Sequence, residues 1–168
     1  MITIRPLDTS DAERYKTIRL LAVKTSPTSL WPTLEEVESL SIDEFADRLV
    51  STETQAVFGA FALDTLVGIT GVRRESLVQV RHQATIWGVF VDPEYRRNGI
   101  AQKLLNAATE HARQEWDCIQ MKLYVNAENA AAKELYLSQG FVIVGMEPRA
   151  LRVGDRFYDE ERMHKVLR

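Results

Sequence analysis

Two arginines and a glycine lie between an apolar run and a segment with helical spacing, in the stretch DPEYRRNGIAQKLL from Asp92 to Leu105. The first turn of a helix leaves backbone N–H groups without partners and carries partial positive charge, so it attracts anions. Gly99 lets the backbone approach a bulky anion, and Arg96 and Arg97 add cationic, forked hydrogen-bond donors. The pattern fits a pyrophosphate-binding turn, and a solvated basic turn is the alternative.

The spacing excludes the two commonest nucleotide-binding turns. A P-loop requires G-x-x-x-x-G-K-[ST], and a dinucleotide-binding fold requires G-x-G-x-x-G. Gly99 has no second glycine at either spacing, and no Lys-Ser/Thr pair follows it. A nucleotide-binding regulatory domain is therefore disfavoured.

Length, composition and charge narrow the class of protein. A chain of 168 residues fits one domain, spanning 1–168, that can bury a full core. The formal net charge of -3 argues against a protein that binds nucleic acid through many phosphates. The N-terminus has no signal-peptide pattern and no 18-residue apolar run occurs, so we expect a cytoplasmic protein without a membrane partner. Cys118 is the single cysteine and is predicted to be buried, and the histidines lack zinc-ligand spacing, so no metal is expected.

Hydrophobic periodicity predicts the elements that position the basic turn. Capping boxes at 10–13 and 41–44 predict helices to about residues 24 and 50, with a loop and one helical turn over 25–40 between them. Two further helices are predicted over 99–116 and 129–138. Strands are predicted over 2–5, 55–63, 65–75, 82–91, 118–125 and 140–147, followed by a hairpin centred on Gly154-Asp155. The strand-helix-strand-helix-strand stretch from 83 to 147 implies a parallel pair at the centre of a mixed α/β sheet with antiparallel edges.

Two stretches together resemble a known family. Arg96-x-x-Gly99-x-Ala101 after an apolar strand closely resembles the acetyl-CoA signature of the GNAT superfamily of N-acetyltransferases. LYVNAENAAAKELYLSQGF, from Leu123 to Phe141, resembles the second hallmark of that family, in which a strand precedes an asparagine, an alanine-rich helix, a Leu-Tyr pair and a Gly-Phe strand start. The resemblance covers nearly the whole chain. It implies a centrally splayed β-sheet flanked by helices, the acyl-CoA N-acyltransferase fold, and acetyl-CoA as cosubstrate.

The resemblance also implies which residues contact acetyl-CoA. The backbone of the strand before the turn would pair with the pantetheine arm, where strands 83–91 and 118–125 splay apart. The amides of the turn would hold the pyrophosphate, and Asn129 would contact the cofactor beyond the splay. The expected cofactor-binding residues are Val89, Phe90, Val91, Arg96, Arg97, Asn98, Gly99, Ile100, Ala101, Gln102 and Asn129.

Tyr136 is the candidate catalytic residue. Acyl transfer to an amine requires a neutral amine, stabilisation of an oxyanion and a proton for the departing thiolate. A tyrosine hydroxyl with an ordinary pKa of about 10 stays protonated at neutral pH and can donate that proton. The resemblance places Tyr136 at the thioester sulfur, whereas its helical position beside Leu135 is also typical of a core tyrosine.

The sequence does not identify the general base. Residues 83–91 contain no carboxylate, although many members of the family carry a glutamate there, and Asp92 before Pro93 is better explained as a turn residue. Water-relayed deprotonation and a carboxylate from the segment 33–53 are the remaining alternatives.

The segment 33–54 bears on the choice of acceptor. It carries several acidic side chains and one basic side chain, Arg48. The acidic side chains either form a solvated surface or attract a cationic amine. Trp31, in the preceding loop, is either an aromatic wall of the acceptor site or a packed anchor. The acidic residues are Glu35, Glu36, Glu38, Asp43, Glu44, Asp47 and Glu53.

The leading hypothesis is an enzyme that acetylates an amine, either a small cationic amine or a protein amino group. The competing hypothesis is a non-catalytic acyl-CoA-binding sensor or interaction module, whose expected mark is loss of Tyr136 with retention of the turn. Because the C-terminal strands of many relatives pair between subunits, the resemblance also leaves a homodimer as an open prediction.

Overall fold

A computed structural model describes all 168 residues and contains one seven-stranded β-sheet with helices on both faces. The strands are β1 (Ile2–Pro6), β2 (Gln55–Ala62), β3 (Thr65–Arg74), β4 (Gln83–Val91), β5 (Gln120–Asn126), β6 (Val142–Val153) and β7 (Arg156–Val166). The helices are α1 (Ala12–Thr25), α2 (Leu34–Ser39), α3 (Ile42–Arg48), α4 (Ile100–Gln114) and α5 (Ala130–Ser138), with 3-10 turns at Thr9–Asp11 and Pro93–Tyr95. No helix has both the length and the apolarity needed to cross a bilayer.

The strand order, β1-β2-β3-β4-β5-β7-β6, confirms the mixed sheet. β4 and β5 form the parallel pair at its centre, and every other neighbouring pair is antiparallel. The C-terminal hairpin turns at Gly154 and Asp155 as expected, but β7 returns between β5 and β6 rather than to the edge. The last two strands therefore extend the sheet on the side of β5 that faces away from β4.

Two hydrophobic cores hold the helices against the sheet. On one face α4 buries Ile100, Leu104 and Ala108 at the spacing that the sequence shows, and Met121 from β5 joins the same cluster. On the other face α1 and α3 meet through Tyr15 and Phe45, whose rings pack edge to face. Cys118 is buried, as predicted, and this burial raises the pKa of its thiol. The sheet thus separates a face carrying α4 from a face carrying α1 to α3.

The first capping box belongs to the 3-10 turn Thr9–Asp11 and not, as predicted from 10–13, to the helix that follows. α1 begins at Ala12, and its N-cap residue, Asp11, makes no side-chain capping bond. Asp8, not Ser10, accepts the capping bond, and the Asp11 side chain accepts from the Asp8 amide in return. Asp11 can do so because Arg5 binds both of its oxygens, at 2.8 Å each. Arg5 lies in β1, six residues before Asp11 and outside the four-residue capping pattern, so that pattern favoured Ser10 over Asp8.

The segment 25–40 contains a complete helix, α2, where one helical turn was expected. Thr33 and Glu36 form a capping box at its start, as Ser41 and Glu44 do at the start of α3. The two prolines before Thr33 lie outside the helix, so they do not interrupt it. The Thr-x-x-Glu pattern marks the start of α2, but no long apolar period follows it, so the predicted single turn was shorter than the six-residue helix.

Candidate active site

A cleft of about 980 Å³ opens where the ends of β4 and β5 face the start of α4, α5 and the loop after α1. It brings together residues far apart in the chain, from Thr25 to Tyr158. The predicted site residues that line it are Val89, Phe90, Val91, Arg96, Arg97, Gly99, Ile100, Ala101, Gln102, Asn129 and Tyr136. Asn98 is the single predicted residue outside the lining.

The central strands diverge beside this cleft. β4 and β5 are paired only from Gln83 with Gln120 to Thr85 with Lys122, and no pairing continues beyond that point. A bulge at Gly88, whose φ is +64°, bends β4 within the unpaired stretch. The edge of β4 that faces β5 is therefore open to an extended ligand over its last residues.

The turn between β4 and α4 presents unpaired backbone donors. The amides of residues 97 to 102 donate to no protein acceptor, and the first helical bond of α4 runs from the Lys103 amide to the Gly99 carbonyl. Arg97 and Gly99 both have positive φ, of +65° and +70°, which curves the chain so that successive N–H groups converge. No side chain blocks this concave surface at Gly99, since a Cβ there would meet nothing within 4 Å.

The two arginines of the turn do different things. Arg96 donates from Nε to the Val91 carbonyl at 2.9 Å and lies over the Phe90 ring, so it ties the turn to β4. Because that bond occupies the Val91 carbonyl, the backbone of Val89 is more available than that of Val91 to pair with an added strand. Arg97 is exposed at the cleft and is the more available cation.

Two asparagines support the cleft by hydrogen bonds. The side chain of Asn98 donates to the carbonyls of Tyr95 and Arg96 and so braces the turn, whereas its backbone N–H has no protein acceptor. Asn129 caps α5 by accepting from the Ala132 amide, as predicted, and donates to Ser29 in the loop after α1. Asn129 thus links two walls of the cleft.

Tyr136 projects from α5 to the cleft with its ring packed on Phe141. The residue is 8% exposed, and its hydroxyl makes no hydrogen bond within the protein. Burial raises the pKa of Tyr136 to about 12. The phenol therefore stays protonated across the neutral range, with its proton uncommitted.

The sequence missed the far wall of the cleft. Asn126, at the end of β5, donates to the Thr28 carbonyl and so holds the loop after α1 against the sheet. At the rim, Arg156 binds both carboxylate oxygens of Glu128, at 2.7 and 3.0 Å, and donates to the Tyr158 hydroxyl. The strand-ending VNAEN was a signal for Asn126, whereas nothing local marked Arg156, which reaches the cleft because β7 returns beside β5.

The acid-rich segment does not reach the cleft. None of its carboxylates is among the lining residues, and those of Glu36 and Glu44 accept from the backbone at the starts of α2 and α3. Glu128 is the single carboxylate in the lining, and Asp92 accepts from the Glu94 amide, as expected of a turn residue. A side-chain base is therefore not evident within the cleft.

A second cleft, of about 710 Å³, lies at the opposite end of α4. It is lined mostly by charged and polar side chains from the end of β3, the residues before β4 and the end of α4, including Arg74 and His111. Desolvation lowers the pKa of His111, so the imidazole is neutral at pH 7. Glu53 of the acid-rich segment lines this cleft, but none of the predicted cofactor-binding or catalytic residues does, so the first cleft is the candidate site. No group of three or more acidic, histidine or cysteine side chains is arranged to hold a metal ion.

Residues 20–141 match the model of the acetyltransferase (GNAT) family. The N-alpha-acetyltransferase RimI of Mycobacterium tuberculosis is 31% identical over 153 residues, which cover 90% of this chain and 85% of that protein. The spermidine N(1)-acetyltransferase of Vibrio cholerae is 25% identical over 140 residues, which cover 82% of this chain and 74% of that protein. Other curated relatives are longer, and this chain spans only 18% to 43% of their length.

The fold also matches solved structures. The Salmonella typhimurium protein yncA, whose structure contains its cofactor acetyl-CoA, superposes with a TM-score of 0.84 at 21% identity. The superposition covers 100% of this chain and 95% of that one.

Proposed function

The chain belongs to the GNAT acetyltransferase family, and we propose that it is an enzyme that transfers the acetyl group of acetyl-CoA to an amine. The family and the splayed fold expected from the sequence are confirmed. The proposal adds the cosubstrate contacts, the role of Tyr136 and a cationic acceptor. Residues 1–168 are proposed to act as one catalytic domain.

The observation that carries the proposal is the run of unpaired amides from 97 to 102 beside an open strand edge. Backbone donors at a helix start suit a pyrophosphate, and the adjacent Arg97 adds charge. The unpaired edge of β4 suits the amide groups of a pantetheine arm, which can pair like an added strand. The residues present therefore fit acetyl-CoA. Bound there, acetyl-CoA supplies an activated acetyl thioester.

Tyr136 is proposed to protonate the departing thiolate. Its hydroxyl is free of protein partners at the cleft, and its raised pKa keeps the proton in place at neutral pH. Because a thiol with a pKa near 8.5 is a good leaving group, this acid is expected to contribute modestly to the rate.

Deprotonation of the acceptor is proposed to run through water. β4 has no carboxylate, and the one carboxylate in the lining, Glu128, is bound to Arg156. The open cleft gives a protonated amine access to solvent water as it enters. This relay leaves the neutral amine facing the acetyl group.

The acceptor is proposed to be an amine that carries positive charge before it reacts. One relative is named for spermidine and another for an α-amino group, and amines of both kinds are protonated to a large extent at neutral pH. Whether a small amine or a protein amino group is used stays open, as do the homodimer and the cytoplasmic location predicted from the sequence.

The test is release of CoA thiol from acetyl-CoA by purified protein, with polyamines, aminoglycosides, amino acids and peptides as acceptors and a no-acceptor control. Release that requires one class of cationic amine supports the proposal and supplies the acceptor. If acetyl-CoA binds but no acceptor raises release above the control, the proposal gives way to the non-catalytic acyl-CoA-binding module.

A further inference from the structure

Glu160, in β7, is a buried carboxylate without a cationic partner. It is 7% exposed and takes part in none of the ion pairs of the chain. Its Oε2 accepts from Trp31 Nε1 at 3.0 Å. Its Oε1 has no protein donor and is not sealed from solvent. A buried charge is costly unless it is paired, so this oxygen is available for an external cation.

Trp31, which binds this carboxylate, packs beside a second aromatic ring. Trp31 is 64% exposed although its indole N–H is bound, so it is not a core anchor. The Tyr124 ring lies 6.5 Å from the Trp31 ring, centroid to centroid, tilted by 47°, and Tyr124 is 40% exposed. Aromatic faces attract organic cations, and the attraction strengthens when the cation is partly desolvated.

This group adjoins the candidate active site. Glu160 is the cross-strand partner of Asn126, which lines the cleft, and directly paired residues share one face of a sheet. Asn126 also binds the Thr28 carbonyl, and Trp31 follows in the same loop. The carboxylate and the two rings therefore lie next to the cleft, where the loop after α1 meets β5 and β7.

We propose that Glu160, Trp31 and Tyr124 form a subsite that binds a cationic group of the amine acceptor. The inference rests on the proposed acetyltransferase function. It assigns acceptor selection to one buried carboxylate with an aromatic wall, in place of the acid-rich surface of α2 and α3. Acceptors with a second positive charge are then bound more tightly than acceptors of the same length with a neutral end.

The experiment measures binding of spermidine, 1,4-diaminobutane and 4-amino-1-butanol to the CoA-saturated protein by calorimetry at low salt. We compare the wild type with Glu160→Gln, which keeps an oxygen to accept from Trp31 but removes the charge. Glu75→Gln is the control, because Glu75 is an exposed carboxylate that lines neither cleft and takes part in no ion pair. Trp31→Leu is a second variant at an exposed position, so it does not depend on repacking a core.

We expect spermidine, 1,4-diaminobutane or both of these polycations to bind the wild type more tightly than 4-amino-1-butanol does. Glu160→Gln should weaken that binding about tenfold or more, Trp31→Leu about threefold or more, and Glu75→Gln less than about twofold. The subsite is ruled out if neither polycation binds the wild type or if Glu160→Gln binds as the wild type does. CoA-thiol release is recorded separately. Cation binding that depends on Glu160, with no release by any acceptor, would count against the enzyme and keep the subsite. Unchanged selectivity of release in Glu160→Gln would rule out the subsite and keep the enzyme.

Discussion

At the scale of single residues, the cleft is marked by polar groups whose hydrogen-bonding capacity the protein leaves unused. Tyr136 keeps its proton because burial disfavours the phenolate, and no protein group competes for that proton. The amides of residues 97 to 102 and the Oε1 atom of Glu160 are likewise without protein partners. Since buried and converging polar groups are normally satisfied, these exceptions point to ligands.

Tyr136→Phe should lower the acetylation rate by about tenfold to a hundredfold while leaving the affinity for acetyl-CoA nearly unchanged, because it removes only the acid. Steady-state kinetics and calorimetric binding of acetyl-CoA separate the two effects. Tyr15→Phe is the control, since Tyr15 is an equally buried tyrosine outside the cleft.

The same residue sets an expectation for pH. With the pKa of Tyr136 raised to about 12, the acid is lost only as pH rises through that value, so the wild-type rate should not fall between about pH 8 and pH 10. An unchanged rate in Tyr136→Phe would contradict the assigned role. An alkaline decline centred near pH 9 that this variant abolishes would keep the acid role and contradict the raised pKa.

At the scale of elements, the divergence of β4 from β5 and the start of α4 together form the proposed cosubstrate site. The two strands pair as far as Thr85 and then separate, while the bulge at Gly88 bends β4. The turn that follows is fixed by Arg96, and its curvature comes from Arg97 and Gly99 in left-handed conformations. The geometry is therefore a property of the strand end and the turn, more than of any one side chain.

Gly99→Ala tests whether the backbone conformation of the turn forms the cosubstrate site. Its φ of +70° disfavours any residue with a Cβ by about 1 kcal/mol or more, so the turn should relax and displace its amides. We expect KM for acetyl-CoA to rise roughly fivefold or more, equivalent to about 1 kcal/mol. Gly154→Ala, with a φ of +61° at the β6–β7 turn and equally open surroundings, is the matched control. It should lose similar stability without the change in KM, and equal KM values in the two variants would exclude a role for the turn.

At the scale of the whole molecule, two cores on opposite faces of one sheet hold the cleft between them. The face carrying α1 to α3 depends on the attachment of α1 to β1, where Asp11 is fully buried between Arg5 and Arg14. The hydrogen bonds from Arg5 hold the pKa of Asp11 below its usual value. Because the folded-state pKa is depressed, the stabilisation is present above about pH 4 and is lost as pH falls through the folded-state pKa.

Asp11→Asn should lower the free energy of unfolding at pH 7 by about 1 to 3 kcal/mol, because it leaves Arg5 without its carboxylate. The difference from the wild type should shrink below about pH 4, where Asp11 itself becomes protonated. Urea unfolding at several pH values measures both effects. Asp155→Asn removes a carboxylate from a fully exposed pair with Arg152 and should change the free energy by less than about 0.5 kcal/mol. A difference that stays constant with pH would argue against the linkage.

The sequence by itself determined the family, the α/β class, the parallel pair at the centre and the basic turn at the start of α4, because these follow from local periodicity and from motifs that are contiguous in the chain. Only the tertiary structure decided the return of β7 beside β5 and the meeting of Trp31 with Glu160. Those contacts join residues that are distant in sequence. No local pattern encodes them, because which side chains meet is fixed by strand order and by the packing of a loop against a sheet.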